Sequence, residues 1–107
     1  MAEVGDIAFS RPFFGPEEAA AVAEVIRSGW VAGGPRLAAF ERRFTDFCGM
    51  PEAVGVSSWT TGAFLVLKAL GFGPGDEIIV PSLTFIASVN VVSHVGARPV
   101  FAEIDPR

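Results

Sequence analysis

Apolar and polar positions change rhythm near the middle of the chain. In the first half they recur at helical spacing. Gly15-Pro16-Glu17-Glu18 predicts a helix start, because proline fits the first turn and the two acids face the positive end of the helix dipole. This helix is expected to run to about Arg27, with Val22 and Ile26 one turn apart on its buried face, and to stop at Ser28-Gly29. After a short loop over residues 30–34, a second helix starts at Pro35. Leu37, Phe40, Phe44 and Phe47 then fall at i, i+3, i+7 and i+10, one apolar stripe closed by Gly49, and the stripe reads as core.

From residue 53 the apolar runs shorten. Val54-Gly55-Val56 is a strand candidate, and Thr60 to Leu70 reads as a helix with Val66, Leu67 and Leu70 apolar and Gly71 at its end. Gly73-Pro74-Gly75-Asp76 predicts a turn, and Glu77 to Val80 a strand ended by Pro81. Phe85 to Val95 forms another helical stretch stopped by Gly96, and Pro99 to Ile104 a third strand. Strands alternating with helices of about ten residues predict an α/β fold, a parallel βαβαβ core preceded by two helices. A parallel sheet needs helices on both faces and further strands beside it. A chain that reaches Asp105-Pro106-Arg107 directly after a strand therefore reads as the start of a larger domain.

Composition narrows the classes. At 107 residues the chain is one domain at most. Half the residues are apolar and 19% are charged, which excludes a disordered chain. The positive mean hydropathy implies apolar faces left for something else to cover. The formal charge is −4, and the basic residues are scattered singly except for Arg42-Arg43. Nucleic acid or an anionic membrane would need a basic stripe, so neither is an expected partner. Cys48 is alone, which excludes an internal disulfide and a thiolate metal cluster. The stretch from Met1 to Asp6 carries acid where a signal peptide needs base. No apolar run reaches the ~18 residues that spanning a bilayer requires. The expected location is the cytoplasm.

One local feature stands out as chemistry. A strand candidate runs into Ser57-Ser58-Trp59-Thr60-Thr61-Gly62 and directly into a helix. Unpaired N–H groups and the dipole at such a helix start favour an anion, and hydroxyls add donors. An ordinary Ser/Thr cap accounts for the same residues, and more simply. Other motifs are absent: the single lysine, Lys68, stands in Leu67-Lys68-Ala69 and not in a P-loop, and no Gly-x-Gly-x-x-Gly follows a strand. Gly55-Val56-Ser57-Ser58-Trp59 begins like a nucleophile elbow but lacks its second glycine. His94 reads as a dipole partner at a helix end or a packed side chain. With one His and one Cys, no metal site is expected.

The landmarks taken together carry a resemblance. Phe9-Ser10-Arg11-Pro12-Phe13, Ser28-Gly29-Trp30, Gly34-Pro35, Phe40-Glu41 and Val56-Ser57-Ser58-x-Thr60 come first. They are followed by the run from Ala69 to Glu77, by Val80-Pro81-Ser82-Leu83-Thr84-Phe85 and by Pro99-Val100-Phe101. In this order and spacing the chain resembles the DegT/DnrJ/StrS aminotransferases over nearly its whole length. The resemblance implies the N-terminal part of a fold-type-I large domain, residues 1–107, that uses pyridoxal 5'-phosphate (PLP). It also implies an amino donor and a nucleotide-linked keto-sugar as partners, and a homodimer when complete.

By position, the family's Ser-Gly-Thr phosphate loop matches Ser58-Trp59-Thr60, and the aromatic residue that stacks on the pyridine ring matches Phe85. Phe85 can also be read as a core residue opening its helix; Ser88 and Asn90 read as structural. Two positions depart from the family pattern. Trp59 stands where many members have glycine, which suits a backbone donor only if the local φ accepts a Cβ. Gly33 stands where Ser or Thr often precedes Gly-Pro. The Schiff-base lysine and the acidic partner of the pyridine nitrogen are expected beyond residue 107. Lys68, eight residues past Thr60 and so ~12 Å along the helix, is a poor substitute. The expected activity is therefore that of an aminotransferase whose present chain is inactive alone. A deoxysugar dehydratase of the same fold and a non-catalytic gene remnant are the alternatives.

Overall fold

The computed structural model describes residues 10–105, which fall into two compact units divided after Val54. The acidic N-terminus, Phe9 of the first landmark and the terminal Pro106-Arg107 lie outside the described residues.

The first unit carries helices α1 (Pro16–Ser28) and α2 (Pro35–Cys48). Proline opens each, as expected for a first-turn position whose N–H has no helical partner. At the start of α1, Glu18 Oε2 accepts the Gly15 N–H at 2.6 Å, which satisfies a donor the helix leaves orphaned. That bond, together with the backbone N–H of Glu18 itself, holds the Glu18 carboxyl below its ordinary range. Both helices end on a glycine in the left-handed region, Gly29 at φ 76° and Gly49 at φ 65°, where a Cβ is disfavoured. Arg36 of α2 pairs with Glu24 of α1. Both side chains are exposed, so the pair contributes about 0–1 kcal/mol.

The buried faces expected here do not form. Val22 and Ile26 are exposed, and along the α2 stripe Phe40 is 58% and Phe47 88% exposed. Phe40 and Phe44 touch each other, their ring centroids 6.0 Å apart. The periodicity was a true mark of an apolar face, but a face becomes core only when a second layer covers it. Two short helices do not supply that layer.

The second unit holds α3 (Trp59–Ala69), β1 (Glu77–Pro81), α4 (Ala87–His94) and β2 (Arg98–Ala102). The strands pair in parallel, from Glu77 opposite Arg98 to Pro81 opposite Ala102. Val54-Gly55-Val56 does not form a strand, so the described sheet has two strands where the sequence predicts three. A strand is made by its lateral pairing, and a run of three residues gives little to hold one. α4 begins at Ala87 because Phe85 and Ile86 make the turn that leads into it: their carbonyls accept the N–H groups of Ser88 and Val89, at 3.0 and 3.1 Å.

Val80, Val91, Val92, Val95 and Ala97 form the buried core, with Ala63, Phe64 and Leu67 of α3 packed against it. Val80 and Ile78 therefore face the helices. Ile79, between them, points to the opposite face of the sheet by the period of two and is 73% exposed. The unit is thus an α/β layer pair with one face of its sheet bare among the described residues. No helix of the described residues is long and apolar enough to cross a membrane.

Candidate anion site at the start of helix α3

The hydroxyl-rich turn folds into a helix cap. Ser58 is extended, at φ −162° and ψ 162°, and its Oγ accepts the Thr61 N–H at 3.1 Å. The carbonyl of Ser58 takes the first intrahelical bond, from Gly62 N–H at 3.1 Å. The N–H groups of Trp59 and Thr60 belong to the first turn, where helix geometry supplies no acceptor, so they point out of the helix end. Thr61 Oγ1 ties the turn together, 3.2 Å from Ser57 Oγ and 3.0 Å from Ser58 Oγ. Thr60 is half-buried, and among the described residues its hydroxyl makes no hydrogen bond. The first turn of α3 carries no acidic residue.

Gly62 lets the incoming chain lie against the helix. A Cβ at Gly62 would come within 3.2 Å of Val56 Cγ2, inside ordinary van der Waals contact. The result is two outward N–H groups and an uncommitted hydroxyl at the positive end of a helix. Those donors suit an anion the size of a phosphate.

Trp59 fits its place. No non-glycine residue among those described has a positive φ, so Trp59 opens the helix in an ordinary conformation and presents its N–H as a glycine would. Its ring lines an open apolar recess of about 550 Å³ between α3, α4 and β1, together with Val56, Val66, Ile78, Val91 and Ser88. Gly33, the other departure, has φ 150°, a value that L side chains rarely adopt.

Phe85 is 79% exposed on the turn before α4 and is not part of the core that the described residues form. The segment bearing it is anchored at both ends. Ser82 donates its N–H to the Ala102 carbonyl at 2.9 Å and its hydroxyl to Glu103 Oε1 at 3.2 Å, while Thr84 Oγ1 and Ser88 Oγ lie 3.0 Å apart. Ser58, Trp59 and Thr60 share one helix end. Trp59 and Ser88 share a recess, so α4 begins beside α3, and Phe85 precedes Ser88 by one turn.

Sequence reasoning missed two features. The convergence of Ser57 and Ser58 on Thr61 was readable from the i, i+3 and i, i+4 spacing. His94, expected as a dipole partner at a helix end or a packed side chain, sits in the last turn of α4 and lines a recess of about 350 Å³ with Thr60, Thr61 and Phe64. That juxtaposition joins residues far apart in the chain, and no local pattern announces it. Lys68 is exposed in the last turn of α3. The described residues hold no cluster of metal-ligating side chains.

Comparison with known proteins identifies relatives of this chain. Residues 13–107 match the DegT/DnrJ/EryC1/StrS aminotransferase family. The chain is 48% identical over 97 residues to the spore coat polysaccharide biosynthesis protein SpsC of Bacillus subtilis, covering 91% of this chain and 25% of SpsC. Among solved structures it is similar to Spr1654 of Streptococcus pneumoniae, assigned as a sugar aminotransferase, in its PLP form. There the TM-score is 0.85 and the identity 41%, over 92% of this chain and 25% of that one. It is also similar to the aminotransferase TlmJ of Streptoalloteichus hindustanus, with a TM-score of 0.80 and 43% identity over 94% of this chain and 28% of that one. The chain thus spans about a quarter of the length of these relatives. On this match, extending over nearly all of its residues, the chain belongs to the DegT/DnrJ/EryC1/StrS aminotransferase family.

Proposed function

We propose that this chain, residues 1–107, is the N-terminal part of a large domain whose task is to seat the phosphate of PLP, in an aminotransferase that acts on nucleotide-linked keto-sugars. The observation that carries the reading is the start of α3: two outward N–H groups and the free Thr60 hydroxyl, with no carboxylate in the first turn, in a member of this family. Trp59 N–H, Thr60 N–H and Thr60 Oγ1 hold the phosphate. Ser58 caps the helix beneath it. Phe85, presented on its turn, lays its ring against the pyridine and sets the plane of the cofactor. PLP, when bound, supplies the electron sink that allows an amino group to pass from a donor to a keto acceptor.

The chain's own residues bind and orient; none of them is assigned a catalytic role. Lys68 lies eight residues beyond Thr60 on the same helix, ~12 Å down its axis and exposed, so it does not reach the aldehyde of a cofactor anchored at the helix start. The Schiff-base lysine is contributed by a segment outside these residues, and this chain alone does not transaminate. The complete enzyme takes glutamate or another amino donor and works as a cytoplasmic homodimer.

A chimera tests the reading. The corresponding N-terminal quarter of Spr1654 is replaced by this chain, and the purified product is examined for retained PLP by absorbance and for amination of a nucleotide-linked keto-sugar. Retained PLP is expected, with loss of retention on Thr60→Val or Phe85→Ala. A folded chimera that never holds PLP, or one indifferent to both substitutions, would sink the proposal.

A further inference from the structure

We propose that Ser57 and Thr61 are positioning residues, which orient the Ser58 hydroxyl so that its proton points at a phosphate oxygen seated on α3. The inference rests on the reading of that helix end as the cofactor-phosphate site.

A hydroxyl has one proton to donate and two lone pairs to accept with. Ser58 Oγ already accepts the Thr61 N–H at 3.1 Å, which fixes it over the first turn. It also lies 3.0 Å from Thr61 Oγ1, which in turn lies 3.2 Å from Ser57 Oγ. Three hydroxyls joined by two contacts use two of their three protons, so one proton is left for an outside acceptor. If Ser58 donated to Thr61, its proton would be consumed within the cap. If instead Ser57 donates to Thr61 and Thr61 donates to Ser58, both lone pairs of Ser58 are filled and its own proton is released. A negative charge beside the outward N–H groups of Trp59 and Thr60 selects this second orientation, because only then does the hydroxyl nearest the helix end donate to it.

The relay makes Ser58 a fourth donor to the phosphate while leaving its capping bond intact. It also explains the choice of residues. Ser57 needs only a hydroxyl within reach of Thr61, and Thr61 must both accept and donate, which valine of the same shape cannot do.

The test uses the 107-residue chain and two probes, PLP and pyridoxal, which lacks the phosphate. Affinities are read by titration calorimetry, with helix content followed by circular dichroism. The wild type is expected to prefer PLP. Thr61→Val keeps the N–H bond to Ser58 but removes the donor that fixes the direction of the Ser58 proton; it is expected to weaken PLP about two- to fivefold and leave pyridoxal unchanged. Thr61→Ser is expected to restore PLP binding, and Ser57→Ala to move it in the same direction as Thr61→Val by a smaller factor. A wild type that prefers PLP, with Thr61→Val equal to it, overturns the relay alone. A loss shared by both probes, or no rescue by serine, also overturns it, because either marks a structural role. If Thr61→Val loses its helix signal, Ser57→Ala decides the matter by the same comparison. A wild type that does not distinguish PLP from pyridoxal overturns the phosphate-site reading and the relay with it.

Discussion

Replacing Gly62 with alanine should separate the stability of helix α3 from the order of the turn in front of it. Gly62 lies inside the helix, where glycine is about 1 kcal/mol less favourable than alanine, so propensity alone favours the substitution. Against it stands Val56. The added Cβ would meet Val56 Cγ2 at 3.2 Å, and carbon contacts settle near ~3.5–4.0 Å, so Val56 must retreat by a few tenths of an ångström. Val56 is 43% exposed and has room to do so, which keeps the packing penalty below the ~1–3 kcal/mol typical of an overfilled core. Stability should therefore hold or rise slightly. The retreat, however, is passed to Ser57, whose hydroxyl already lies 3.2 Å from Thr61 Oγ1, long for a bond between hydroxyls. Loss of that contact is worth about 0.5–1.5 kcal/mol, or roughly 2- to 12-fold in affinity. Gly62→Ala should thus melt no lower than the wild type by circular dichroism, while binding PLP severalfold more weakly by calorimetry. A variant that melts higher and binds PLP as tightly would refute the claim that the approach of Val56 to α3 organises the site.

Three further outcomes are expected. Thr60→Val keeps the backbone N–H and the side-chain shape but removes the hydroxyl proposed to hold the phosphate. It should weaken PLP by about 1.5–3 kcal/mol, roughly 10- to 150-fold, and equal affinity in a calorimetric titration would count against the assignment. Val92→Ala removes part of the most deeply buried side chain, 1% exposed, and should cost about 1.5–3 kcal/mol in urea unfolding. The control Val22→Ala, at a site 59% exposed, should stay within about 0.5 kcal/mol. The Glu18 carboxyl is lowered in the folded chain by its bond from Gly15 N–H, so its contribution to α1 is complete above the ordinary value of 4.5 and is lost as pH falls through the lowered one. Acid titration of helix content should therefore differ between the wild type and Glu18→Gln below that value, and superimposable curves would show the bond to be inconsequential.

The places where the sequence spoke clearly are those governed by local backbone chemistry. Pro16 and Pro35 open helices, Gly29 and Gly49 close them, and Gly73-Pro74-Gly75-Asp76 makes its turn, with Asp76 Oδ2 accepting the Gly73 N–H at 2.8 Å. What needed neighbours was less legible. The phenylalanine stripe of α2 announced an apolar face without saying what covers it, and Val54-Gly55-Val56 had strand texture without a strand's pairing. Within the site, Ser57, Ser58, Thr60 and Thr61 were visible as a run of hydroxyls. Which of them caps, which links and which stays free depends on rotamers set by the turn, and the sequence does not state those. A Cβ at position 59 forbids some backbone angles, and Trp59 avoids them by taking a helical conformation.

The tryptophans give the molecule an optical property. The chain has two, and each unit carries one: Trp30 lies against Gly34 in the loop between α1 and α2, and Trp59 opens α3 beside the proposed phosphate seat. With no tyrosine in the sequence, nearly all near-ultraviolet emission comes from these two rings. A Trp30→Phe chain would therefore carry a single fluorophore at the mouth of the proposed site. Its emission would follow the environment of that one helix end, undiluted by any other part of the chain.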